Sequence, residues 1–135
     1  MTIKRLVIFD WETNGRRDTV IQNPSWHQVE AAISSLNNRN LNDLYLEPAG
    51  GGDHTFLCIG GGNGHYIASG SMDGQRFPTL ANRVADADSR IDLIVGGQLG
   101  DYPAKHVVDL ASVLAAARSF FECGAFTDAV DWIDA

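Results

Sequence analysis

Thr55-Phe-Leu-Cys-Ile-Gly-Gly-Gly-Asn-Gly-His-Tyr-Ile-Ala-Ser69 is the stretch whose reading decides the fold. Two runs that suit a pleated, half-buried surface, Thr55–Ile59 and His65–Ser69, flank a glycine cluster. Asn63-Gly64 closes that cluster and is a favoured pair for a two-residue type I′ turn, whose central residues both need positive φ. The stretch therefore reads as an antiparallel hairpin with residue 62 opposite 65 and residue 56 opposite 71. Gly60–Gly64 does not read as a phosphate loop. A Walker loop needs Lys-Ser/Thr after its last glycine, where this chain has His65-Tyr66, and a dinucleotide fingerprint needs glycine where Ile67 stands.

Working outward, Leu44-Tyr45-Leu46 is a short strand, broken by Pro48 and the Gly50–Gly52 connection with Asp53. Before it, Ser25 and Gln28 have the spacing of a capping box. Trp26, Val29, Ala32, Ile33 and Leu36 then give one apolar helical face, with Trp26 in the core, and Asn37, Asn38 and Asn40 end the helix. Residues 3–9 read as the first strand, and Thr19–Ile21 as a second. After the hairpin come a turn at Ser71–Gly74, a strand near 75–79, a polar stretch at 82–90 and a strand at Ile91–Val95 ended by Gly96-Gly97. A second helix starts at the N-cap Asp109, carries Leu110, Val113, Leu114, Ala117 and Phe121 at helical spacing with Phe121 expected to be buried against the sheet, and stops at Gly124, where a left-handed C-cap belongs. The tail at 125–135, with Phe126, Val130, Trp132 and Ile133, should dock back on the domain. The whole is expected to be one α+β domain over residues 1–135, with a mostly antiparallel sheet of five or six strands and two helices packed on one face.

Composition narrows the function classes. The chain has 135 residues, 44% of them hydrophobic, which is enough for one core. Ten Lys and Arg against 17 Asp and Glu give a formal charge of −7. That balance argues against direct nucleic-acid binding and against docking on an anionic membrane, and suits a basic protein partner. Residues 86–135 hold nine acids and three bases, so most of the negative charge lies there. The first nine residues lack the length of a signal-peptide core, and a cytoplasmic location is expected. Cys58 and Cys123 read as reduced, packed thiols rather than a disulfide framework.

Catalytic constellations are absent from the pattern. His27, His54, His65 and His106 fit no zinc spacing, and the hairpin register keeps His54 away from His65. There is no G-x-S-x-G elbow. Asp10/Glu12 and Asp86/Asp88 are carboxylate pairs in polar segments, and Asp10, Glu12 and His65 are the residues a small enzyme would use. The expectation is a non-enzyme with no cofactor and no metal site.

The order of features carries a resemblance: a helix opening on Trp26, the Leu-Tyr-Leu strand, the glycine-rich hairpin, Ala115-Ala-Ala-Arg-Ser-Phe-Phe-Glu-Cys-Gly124, then Trp132 in an acidic tail. This resembles the Imm1 family of bacterial immunity proteins over roughly residues 25–134, with Ala116, Ala117, Phe120, Phe121 and Trp132 at the matching positions. The resemblance implies an antidote encoded beside a secreted toxin of a polymorphic toxin system. That toxin would be a nucleic-acid deaminase or a nuclease with a basic cleft, and the antidote would block its active site. The free protein is expected to be a monomer. The binding residues expected on this reading are the carboxylates Glu12, Asp73, Asp128 and Asp131 with the aromatic anchors Trp11 and Trp132.

Overall fold

The structure is a computed structural model that describes residues 3–12, 15–50 and 54–134. In chain order it places β1 (Ile3–Glu12), β2 (Gly15–Gln22), α1 (Trp26–Ser35), β3 (Leu41–Pro48), β4 (Phe56–Gly62), β5 (His65–Ser71) and β6 (Pro78–Leu80). Then follow β7 (Arg90–Val95), β8 (Gln98–Pro103), a 3-10 turn (Ala104–His106), α2 (Leu110–Cys123) and β9 (Trp132–Asp134). The sheet has seven strands in the order β2-β1-β3-β4-β5-β6-β9, and β7-β8 forms a separate two-stranded ribbon. Every pairing among the described strands is antiparallel. The α+β expectation holds, with more strands than the five or six expected. Gly51, Gly52 and Asp53 of the expected glycine connection lie outside the described residues.

The central hairpin has the register read from its turn: Phe56 faces Ser71 and Gly62 faces His65. Asn63 and Gly64 both have positive φ, as a type I′ turn requires. The glycines before them are strand rather than loop, because β4 runs on through Gly62.

Local chemistry sets both helices. At α1 the Gln28 N–H donates to Ser25 Oγ at 3.2 Å. The Ser25 N–H donates in return to Gln28 Oε1 at 2.9 Å. Together they satisfy two orphan donors of the first turn. At α2 the Ser112 N–H donates to Asp109 Oδ1 at 2.8 Å. Gly124 caps the other end at φ 66°, in the left-handed region that glycine enters without steric cost. Val29, Ala32 and Ile33 of α1 and Val113, Ala116, Ala117 and Phe120 of α2 are buried. They pack on Ile3, Leu6, Leu44, Leu46, Leu57, Ile59 and Ala68, which line one face of the sheet.

Three packing expectations are corrected. The buried stripe of α2 is 113-116-117-120, an i, i+3, i+4, i+7 set, so Phe120 and not Phe121 enters the sheet. Phe121 stands beside that stripe, half-buried and edge-on to Trp26 at 5.7 Å between ring centroids. Trp26 is accordingly a half-buried residue at the helix–helix seam, with the Arg118 guanidinium 5.0 Å from its ring, rather than a core residue. Cys123 is exposed on the last turn of α2, not packed, and Cys58 is partly buried.

The tail docks as expected. In it β9 pairs with β6, Leu80 opposite Trp132. Phe126 bridges Phe120 at 5.0 Å and Trp132 at 4.9 Å. Phe120→Ala is expected to cost about 3–5 kcal/mol in urea unfolding, as large-to-small core changes do, and Phe121→Ala distinctly less. An equal or larger loss at Phe121 would contradict this assignment of the α2 face.

Candidate partner-binding face

Side chains alternate across a strand, so the residues between the core positions point to the other face of the sheet. There β1 shows Val7, Phe9 and Trp11, β3 shows Asp43, Tyr45 and Glu47, and β4 shows Phe56, Cys58 and Gly60. Among the described residues no helix packs on this face; both sit over the opposite one with the core.

A row of rings crosses the open face. The Arg16 guanidinium lies 4.6 Å from the Phe9 centroid, Phe9 meets Tyr45 edge-on at 5.5 Å, and Tyr45 meets Phe56 at 5.3 Å. Below the row, Arg5 grips Glu47 with Nε to Oε2 at 3.0 Å and Nη2 to Oε1 at 2.8 Å. This is a fork-to-fork pair, which fixes direction as well as distance. Lys4, Arg5, Tyr45, Glu47, Thr55 and Phe56 line an open groove of about 660 Å³. Cys58 sits under Tyr45. Burial pushes its thiol up to about 12, so it carries no nucleophilic thiolate at neutral pH. Cys58 and burial together push the Tyr45 phenol above its ordinary range.

The upper part of this face holds the β7–β8 ribbon. A Cβ at Gly60 would stand 2.6 Å from Val95 Cγ1, so only a bare backbone lets Val95 settle there. Two asparagines tie the ribbon by its backbone. The Ile94 N–H donates to Asn38 Oδ1 at 2.7 Å, and the Gly97 N–H donates to Asn42 Oδ1 at 3.0 Å. Asn42 is fully buried, and its Nδ2 donates to Arg39 O at 2.7 Å. Both ends of its amide are therefore used, as burial of a polar group requires.

Trp11 completes this attachment. Its indole lies against Gly97, where a Cβ would fall 2.5 Å from the ring, and its Nε1 donates to Asp43 Oδ1 at 2.9 Å. Asp43 is buried, and desolvation raises its pKa, partly offset by the Trp11 N–H and by Arg16.

The six residues expected to bind a partner fall into separate groups. Trp11 and Glu12 end β1, and Arg17 Nε is 3.4 Å from Glu12 Oε2. At the far end of the sheet, Trp132 lies in β9 against Phe126, and its Nε1 is buried with no hydrogen-bond partner among the described residues. Beside it, Asp131 accepts two hydrogen bonds from Arg83, whose side chain lowers the Asp131 pKa. Asp128 is exposed. Asp73 accepts from the Gln75 and Arg76 N–H groups, which lower its pKa, in the turn after β5. Strands β1 and β9 stand five positions apart in the sheet. At the usual spacing between strands that is roughly 24 Å. The six therefore do not form one patch.

Of the enzyme alternative's residues, Asp10 and Glu12 are neighbours on β1 but His65 stands apart from them. Asp10 Oδ1 accepts from Asn40 Nδ2, and His65 on β5 is three strand positions from β1. Among the described residues no group of three or more His, Cys, Asp or Glu could hold a metal ion, and no helix is long and apolar enough to cross a membrane. The sequence reading missed the aromatic row and β8. The Gly96-Gly97 pair was the signal for β8, since both glycines have positive φ and two such residues make a hairpin turn.

Comparison with known families matches residues 17–134 to Immunity protein Imm1. No curated protein matches the chain.

The buried Asp43 makes a pH prediction. Its folded pKa is raised above the ordinary 3.8, so the folded state holds the proton more tightly than the unfolded state. The resulting penalty on folding is absent at low pH, grows as pH rises through the window above 3.8, and is complete at neutral pH. Asp43→Asn keeps an acceptor for Trp11 without the charge. In urea unfolding the variant should be at least as stable as wild type at neutral pH and lose that advantage below pH 3.8. A variant weaker at neutral pH and equal to wild type at low pH would contradict the sign.

Proposed function

The chain belongs to the Imm1 immunity protein family, and from that premise we propose that it neutralises a nucleic-acid-directed toxin, a deaminase in the first instance, by covering the toxin's active site. The family gives an immunity function and a cognate toxin as partner. The observation that carries the finer reading is the surplus of unanswered carboxylate. Seven of the ten basic side chains, those of Arg5, Arg16, Arg17, Arg76, Arg83, Arg90 and Arg118, are held in ion pairs. Among the described residues, Asp86, Asp88, Asp92, Asp128 and Asp134 have no such partner, and the formal charge is −7.

A protein that processes nucleic acid grips phosphate with lysine and arginine, and this grip dominates its affinity. An acidic protein is drawn to the same cleft, and once seated it excludes the polyanion. Exposed intramolecular ion pairs contribute little, roughly 0–1 kcal/mol. Glu12, Asp73 and Asp131, each facing an arginine, add little to the steering field but can exchange that arginine for a partner's cation on contact. A nuclease toxin would present the same phosphate-binding cleft, so the charge argument supports that second reading equally; the resemblance puts deaminases first. Location in the cytoplasm fits an antidote that guards the producing cell.

The test uses the catalytic domain encoded in the reading frame beside this chain's gene. An equimolar amount of the purified chain should abolish that domain's activity on nucleic acid. Base conversion without strand cleavage in the uninhibited reaction identifies a deaminase, and cleavage identifies a nuclease. Association should slow steeply as salt rises from about 50 to about 200 mM, because screening shortens the reach of the field. A domain that remains fully active, or an association rate indifferent to salt, would contradict the proposal.

A further inference from the structure

The β7–β8 ribbon has two faces of different character. Ile91, Leu93 and Val95 look toward the sheet, and Leu93 is buried. The alternate positions, Asp92 and Ile94, stand on the solvent side, directly opposite Asp101 and Leu99. Leu99 is 71% exposed, and with Ile94 opposite it forms a small apolar spot on this face. Asp92 and Asp101 form a cross-strand pair of like charge, which sheets ordinarily avoid because the two repel. Arg90 answers Asp101, with Nε to Oδ2 at 2.8 Å and Nη2 to the Asp101 carbonyl at 2.9 Å. Asp92 has no ion pair among the described residues, nor do Asp86 and Asp88 in the segment leading into β7. Residues 86–101 thus carry four acids against Arg90 alone, a net −3, and two of them, Asp92 and Asp101, stand beside the Ile94–Leu99 pair.

The rest of the open face differs. There Arg5 pairs with Glu47 and Arg16 with Asp18, and the rings pack against one another. The charges of that row are balanced within the chain, whereas those of the ribbon are not.

The geometry points to the solvent face of the β7–β8 ribbon as the arm that enters the cationic substrate cleft of the toxin. Leu99 is the apolar anchor, and Asp92 and Asp101 meet lysines or arginines that otherwise hold phosphate. This rests on the immunity reading above and names the surface that performs it. The other face of the ribbon is already occupied: Val95 sits over Gly60, and Asn38 and Asn42 hold the backbone. The solvent face therefore comes to the partner on a fixed support, so little ordering opposes binding. A carboxylate pair that repels itself in the free protein gains most when cations arrive between its members.

The experiment measures binding kinetics against the catalytic domain encoded beside this chain's gene, at two salt concentrations, for wild type, Leu99→Ala, Asp92→Lys and Asp128→Lys. Leu99→Ala should raise the dissociation rate at least about tenfold and leave association nearly unchanged. Asp92→Lys should lower the association rate at least about tenfold at low salt, flatten its salt dependence and also speed dissociation. Asp128→Lys, at the far edge of the sheet, should slow association slightly and leave dissociation unchanged. Leu99 and Asp92 are at the surface, so circular dichroism should match wild type and the melting temperature should not fall. Asp92→Asn should melt slightly higher while binding more weakly, a combination that a merely structural role would not produce. If wild type binds and inhibits while Leu99→Ala and Asp92→Lys behave like it, the ribbon assignment is overturned and the immunity reading stands. If wild type neither binds nor inhibits, the reading and the assignment fall together. Sedimentation showing a dimer of the free chain that Leu99→Ala dissolves would also overturn the assignment, since the occupant would then be a second copy.

Discussion

The side chain of Val95 fills the space that a Cβ at Gly60 would take, and the placement of the β7–β8 ribbon depends on that contact. A seven-stranded sheet with helices on one face leaves its other face open. Here part of that face is covered by a ribbon that belongs to no larger sheet. The ribbon has little core of its own, and an isolated two-stranded hairpin is marginal in water. It is held because Gly60 lets Val95 approach, Asn42 turns a buried amide toward Gly97, and Trp11 lies against the ribbon's turn. Each attachment lies on the inner side or the turn, which leaves the outer side free to meet something else.

Much of this was legible from residues. The Asn63-Gly64 turn set the register of the central hairpin. The Ser25/Gln28 box and the Asp109 and Gly124 caps set the helix ends, because those signals act through a few neighbouring backbone groups. What escaped the reading depends on tertiary contact. Strand β2 is polar and almost wholly exposed, so alternation revealed only its Thr19–Ile21 part; its full length comes from pairing with β1. Strand β8 carries Gly100 and ends on Pro103, residues that weaken a strand pattern. In α2 two adjacent phenylalanines offer two nearly equivalent stripes. Only the sheet's position selects Phe120 for the core, with Phe121 left for the seam with Trp26.

The candidate site was less legible than the fold. Sequence position brought Trp11 and Trp132 forward as large aromatics among acids, yet the fold gives each a contact within the chain: Trp11 under the ribbon turn, Trp132 in the layer with Phe126. Leu99 is exposed on the ribbon beside the Asp92–Asp101 pair, and its neighbours in sequence give no sign of that exposure. An interface anchor is recognised by what the fold declines to cover, and that is a property of pairing and packing. The distribution of charge was easier to read, because it survives any arrangement of the chain. It favours rapid encounter with a basic partner, while slow release requires a desolvated contact of the kind Leu99 can make.

An acidic ribbon, seated on the sheet through a glycine contact, is what the toxin receives on this account. The most direct measurement is a crystal structure of the chain bound to the catalytic domain encoded beside it. The account predicts Leu99 buried in that domain's active-site cleft, with Asp92 and Asp101 within hydrogen-bonding distance of its lysines or arginines. A complex that leaves Leu99 in solvent and joins the partner through α1 and α2, or through the free edge of β2, would contradict it.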